Sequence, residues 1–286
     1  MNYLLLIIAS ALFGGIFVFQ QQYTRSEGAL LRASLIFGAL TGVVRIIMSF
    51  IIYGTNFHLT AYGLAIAFGY AAANIAVTYF SAKAFQVTDM ALYSVFMMLG
   101  GMILPFAAGI IFYKEAFTLG KAAGCLLVIA AVIVSAQFGK KSSIKGFLVC
   151  LGVFAMNGMV GVCAKINQNS SSGIDSGSFF LSSAVITVVI CSVWAILLKA
   201  PKGQKLFKSP KAALISSALY GLASGGGNLL LLIALENLPA SVQYPLVTGS
   251  TMVFSAIFGL MRKEKLTART VISVLLAVAA SVVVMF

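Results

Sequence analysis

The sequence predicts an all-α integral membrane fold, with ten transmembrane helices arranged as two inverted five-helix repeats. Three observations carry that prediction: ten apolar segments of bilayer-spanning length, a one-sided distribution of Lys and Arg among the loops, and a match of the chain with itself that places Lys114 on Lys263. A helix needs about 20 apolar residues to cross a hydrocarbon core of roughly 30 Å. Here 61% of the residues are hydrophobic, 9% are charged and the mean hydropathy is +1.06, whereas an average soluble domain is about 25% charged.

The predicted spans are Asn2–Gln20, Ala29–Tyr53, Leu59–Ala82, Thr88–Phe112, Thr118–Gln137, Gly146–Ile166, Gly177–Leu198, Lys211–Leu235, Ala240–Met261 and Thr267–Phe286. The first lacks a basic leader and stays apolar through Phe19, so it reads as a helix and not as a signal peptide. The second carries Arg45, and the third carries Ala71-Ala72-Ala73-Asn74. Pro105 interrupts the fourth, and Thr118 is placed to cap the fifth. A basic linker, 138–145, separates a first unit, 1–137, from a second, 146–286. In that second unit, Gly225-Gly226-Gly227-Asn228 lies in the eighth span, Pro245 near the start of the ninth, and Thr267 before the tenth. The spans are continuously apolar, which excludes barrel strands of alternating polarity.

The formal net charge is +13, but its placement removes nucleic acid as a partner. Fifteen Lys and Arg residues fall in odd-numbered loops, only Lys114, Lys121 and Lys165 fall in even ones, and Arg45 lies inside a span. This positive-inside bias predicts cytoplasmic odd loops, extracytoplasmic termini and a multi-pass protein of the plasma (cell inner) membrane. The natural partners of the basic loops are anionic headgroups of the lipid bilayer. Cys125, Cys150, Cys163 and Cys191 are widely spaced within spans, so the sequence implies neither a metal site nor a disulfide, and no cofactor.

The internal match centres on Tyr-Lys-Glu-Ala-Phe-Thr at 113–118 and Arg-Lys-Glu-Lys-Leu-Thr at 262–267. In the same register Ala91 falls on Ala240, Gly100 on Gly249 and Ala107 on Ala256. Five helices per half reverses the polarity of the second half in the membrane, a design of secondary transporters that bind their solute near the midplane. With these motifs and Ala-Ser-Val-Gln-Tyr-Pro at 240–245, the chain resembles the drug/metabolite transporter superfamily in its ten-helix EamA-type branch. The resemblance covers essentially the whole chain. It implies a central cavity between the halves, with the fifth and tenth helices peripheral, and leaves the cargo open.

Polar side chains inside the membrane are the default candidates for a substrate-binding site. Asn74 and Asn228 lead, each beside a triplet of small residues, with interhelical bonding as the competing role. Gln243 and Tyr244 precede Pro245, whose missing amide frees a backbone carbonyl; Tyr93 stands near the corresponding end of the fourth helix. Asn157, Gln20, Tyr70 and Tyr79 form a weaker tier. Arg45 has two readings, a side chain reaching towards headgroups or one attracting an anionic group on a solute. All six acids lie in loops or at span ends, which argues against the buried carboxylate that couples protons to cationic drugs in the small multidrug exporters of that superfamily.

The sequence therefore predicts a secondary transporter of a small metabolite or drug-like solute, working by alternating access through a central cavity. The alternative is a membrane sensor, scaffold or lipid-translocating subunit. One His and no intramembrane acid leave little from which to build a catalytic site, so the chain is not expected to be an enzyme.

Overall fold

The computed structural model describes residues 2–114, 118–135, 144–198, 207–235 and 240–283. Ten helices fill them: α1 (Asn2–Glu27), α2 (Leu31–Tyr53), α3 (Ala61–Ala84), α4 (Met90–Tyr113), α5 (Leu119–Ser135), α6 (Ile144–Asn169), α7 (Ser176–Leu197), α8 (Pro210–Leu235), α9 (Ala240–Met261) and α10 (Ala268–Val283). Six of these, α1 to α4, α6 and α7, are long and apolar enough to cross a membrane.

The helices are apolar outside and partly polar inside. Ile51, Phe112, Leu119, Ile196 and Met261 are at least 70% exposed, while Ser10, Ser49, Ser81, Ser94, Ser183 and Ser255 are fully buried. Water would penalise such an exterior, but hydrocarbon does not. Several buried hydroxyls bond one turn back along their own helices. Ser10 donates to the Leu6 carbonyl at 2.7 Å, Thr41 to Phe37 at 2.9 Å and Ser49 to Arg45 at 2.8 Å. Small residues then bring backbones together. A Cβ at Gly100 would strike the Phe154 carbonyl of α6, and one at Gly227 would come within 2.8 Å of Phe13 on α1.

Helix packing has an internal symmetry. α1 packs on α8 and α9, as α6 packs on α3 and α4. α2 packs on α8 as α7 packs on α3, while α2 with α7, α4 with α9 and α5 with α10 pair with each other. Exchanging each helix with the one five places along reproduces this pattern. Lys114 and Lys263, matched in sequence, are also the non-glycine residues with positive φ among the described residues, at 53° and 61°. Both end their helices in left-handed geometry. The Thr267 hydroxyl accepts the Thr270 amide at 3.2 Å, as expected of a cap on α10.

Contacts between loops define two ends of the bundle. At one end Glu27 accepts the Lys208 and Ser209 amides, each at 2.8 Å, and Glu264 accepts the Met90 amide at 2.8 Å. This end gathers the loops after α1, α3, α7 and α9. At the other end the Thr60 hydroxyl donates to the Ser172 carbonyl at 2.9 Å, and the His58 amide donates to the Ser178 hydroxyl at 2.8 Å. That end joins the α2–α3 and α6–α7 loops.

The structure corrects the first span. α1 runs to Glu27, seven residues beyond Gln20, because Gln20, Gln21, Thr24 and Glu27 are buried against neighbouring helices and only Gly28, at φ 92°, turns the chain away. Apolarity ended before the helix did. In the predicted 138–145 linker, residues 138–143 lie outside the described residues, and Ile144 and Lys145 already belong to α6.

Candidate functional site

Two helices from each half, α2 and α3 with α7 and α8, line a partly open cavity of about 70 Å³. Its lining follows from helical periodicity, since residues four apart share a face. Along α3 the stripe is Tyr70, Asn74 and Thr78; along α8 it is Tyr220, Ser224 and Asn228. α2 contributes Gly38, Thr41 and Arg45, and α7 contributes Phe180 and Thr187. Other faces of these helices carry exposed apolar side chains such as Ile47, Phe68, Val189 and Leu222. The cavity is the place where polar stripes from both halves converge.

Arg45 is the charged group among these lining residues. It is only 7% exposed, so it does not reach out of the bundle. Its guanidinium points across to α7, where Nη2 donates to the Ser183 hydroxyl at 3.3 Å and the charge centre lies 4.8 Å from the Phe180 ring centroid. That cation–π contact and one long hydrogen bond leave most of its five donors unused. Among the described residues no carboxylate pairs with it; the ion pair found there joins Arg25 and Glu264.

Asn228 donates from Nδ2 to the Ser224 carbonyl at 2.7 Å, which orients its amide on α8 and leaves Oδ1 available. The Asn74 carbonyl accepts Thr78 Oγ1 at 3.0 Å, while its side-chain amide makes no hydrogen bond among the described residues. The triplets beside these amides are packed as their size allows. Ala71 and Ala73 are buried, and Gly225 abuts Met48 of α2. The cavity thus offers a fixed cation, two amides and several hydroxyls. Its lining contains no acid among the described residues.

The other predicted residues are distributed elsewhere. Tyr93 is completely buried in the core, packed on Phe17 and Phe85, with its hydroxyl 2.7 Å from Ser81 Oγ. Asn157 ties α6 to α4 by donating to the Met97 carbonyl at 2.6 Å. Both act as internal packing in this structure and stand outside the cavity lining. Gln243 and Tyr244 fall in α9, but their side chains lie outside the described residues. Gln20 lines a smaller pocket near the α1–α2 loop, and Thr78 borders both pockets. Thr41, Thr187, Tyr220, Ser224 and Phe180 escaped sequence reasoning. The signal for those on α8 is the four-residue spacing that they share with Asn228.

Two carboxyls at the bundle ends titrate away from their ordinary range. Burial pushes Asp89, the cap of α4, upward; the Leu92 amide opposes this and the Glu264 charge adds to it. Asp175 caps α7 and is held below the usual carboxylate range. Burial acts against that shift, but the Ser178 hydroxyl and the amides of Ser178 and Gly177 outweigh it.

The EamA-like transporter family matches residues 144–286, half of the chain. Twenty-eight chains of solved structures are also similar in fold. One, described only as the crystal structure of a protein, aligns over 99% of this chain and 95% of its own at 14% identity, with a TM-score of 0.60. At that identity the likeness is one of fold alone. No curated protein is similar in sequence.

Proposed function

The chain belongs to the EamA-like transporter family, within the drug/metabolite transporter superfamily, and from that premise we propose that it is a secondary transporter whose solute binds in the cavity between α2, α3, α7 and α8. The observation that carries this reading is the convergence of Asn74 and Asn228, from opposite halves, on one polar cavity. In this proposal the halves are inverted repeats, the end holding Glu27 and Glu264 faces the cytoplasm, and both termini lie outside in the plasma membrane. The solute is a small polar or amphipathic molecule. It drives alternating access by binding the inward-open and outward-open states with different affinity.

A thermal-shift screen of the purified protein against grouped solutes tests the reading, followed by uptake of each stabilising solute into proteoliposomes. A ligand at 100 times its Kd adds about 2.7 kcal/mol to the folded state. Asn74→Ala and Asn228→Ala are expected to weaken that stabilisation and slow uptake while still inserting in the membrane. Unchanged binding and uptake in both variants contradict the assignment.

A further inference from the structure

We propose that the solute bears an anionic group, a carboxylate, and that Arg45 is the residue that receives it. The proposal rests on the transporter reading above and names its substrate class. A buried guanidinium is costly in a low-dielectric interior unless it is paired. Among the described residues Arg45 meets only the Ser183 hydroxyl at 3.3 Å and the face of Phe180 at 4.8 Å. Neither carries a compensating charge. The side chain is 93% removed from the surface and borders the cavity, so its remaining donors are not spent on lipid headgroups.

The rest of the lining supports an anion over a cation. The other lining residues are neutral, and the amides of Asn74 and Asn228 stand in the same cavity. An organic cation entering it meets a fixed positive charge and, among the described lining residues, no acid. A guanidinium presents parallel N–H donors that match a carboxylate bidentately. One guanidinium balances one negative charge, which favours a monocarboxylate over a doubly charged phosphate. The amides then take the polar remainder of the solute.

The test uses the purified full-length protein and measures affinity by calorimetry for benzoate, lactate and N-acetylglycine, each against its neutral amide, with choline as the cation. The carboxylates are expected to bind at least about tenfold more tightly than their amides, the scale of one charge-assisted hydrogen bond. Arg45→Met is expected to erase that preference while leaving the weak amide affinity in place, and Arg45→Lys to restore part of it. Should Arg45→Met fail to fold, Asn228→Asp serves in its place, because a carboxylate inside the cavity competes for the guanidinium and weakens benzoate binding. Equal affinity for acid and amide, preference for choline, or full carboxylate binding by Arg45→Met overturns the proposal. If a neutral or cationic probe binds in an Asn74-dependent manner, the anion assignment falls and the transporter reading stands. If no probe of any class binds, both fall.

Discussion

Two buried charges in this bundle are treated in opposite ways. The Glu264 side chain, 8% exposed, is fully engaged by the protein: Gln21 Nε2 donates to it at 2.6 Å, the Met90 amide at 2.8 Å and Arg25 at 3.3 Å. It ties α1, α4 and the end of α9 together. Arg45, also buried, has one hydroxyl at 3.3 Å and an aromatic face among the described residues. A charge that the fold satisfies is a strut, and removing it leaves its partners unpaired. A charge that the fold leaves open is available to something that enters later.

Substitutions sharpen that contrast, and the largest effect belongs to Glu264. Glu264→Ala deprives the Met90 amide and the Gln21 side chain of their acceptor, each loss costing about 1–3 kcal/mol when buried. The variant should unfold several degrees earlier in detergent, and a melting temperature equal to wild type refutes the strut. Arg45→Met should do much less without solute, because replacing a poorly paired buried charge by an apolar group is commonly neutral or stabilising. A loss as large as that of Glu264→Ala erases the distinction between the two sites.

Smaller effects come from the helix caps and are read from the pH dependence of stability. The Asp89 carboxyl is raised in the fold, so its contribution is greatest in acid and declines as pH rises through its folded value. Asp89→Asn keeps an α4 cap and removes that decline, which makes the variant at least as stable as wild type at neutral pH. Asp175 is lowered, so its contribution is present above the ordinary aspartate range and is lost as pH falls through its folded value. Asp175→Asn should flatten the acid limb alone. Identical pH profiles for the two variants contradict these opposite shifts.

The membrane class and the ten helices were legible in the sequence because apolar length is a local property. The Lys-Glu match at 114–115 and 263–264 was legible too, and among the described residues its lysines, Lys114 and Lys263, share a positive φ. Helix ends were less so. α1 outran its apolar stretch because Gln21 and Glu27 find partners hundreds of residues away, at Glu264 and at the start of α8. The sequence placed Glu264 in a loop, and only tertiary packing shows it to be buried. Asn74 and Asn228 stood out as amides in apolar helices, and both border the cavity. Tyr93 stood out as a second-rank candidate, yet it points into a core where Ser81 pairs with its hydroxyl. Polarity marks a candidate, but the face of the helix decides its role. For Arg45 the sequence allowed two directions, and the Ser183 contact across to α7 selects the inward one.

The central claim is that the cavity between α2, α3, α7 and α8 holds the solute, and filling it tests that claim most directly. Ser224→Phe projects a ring into the cavity from α8, whereas Leu222→Phe, on the exposed face of the same helix, projects one outward. Calorimetric titration of both variants with a solute that binds the wild-type protein decides the matter. The account predicts that Ser224→Phe abolishes binding with the fold intact and that Leu222→Phe binds as wild type does. Undiminished binding by Ser224→Phe would place the solute elsewhere.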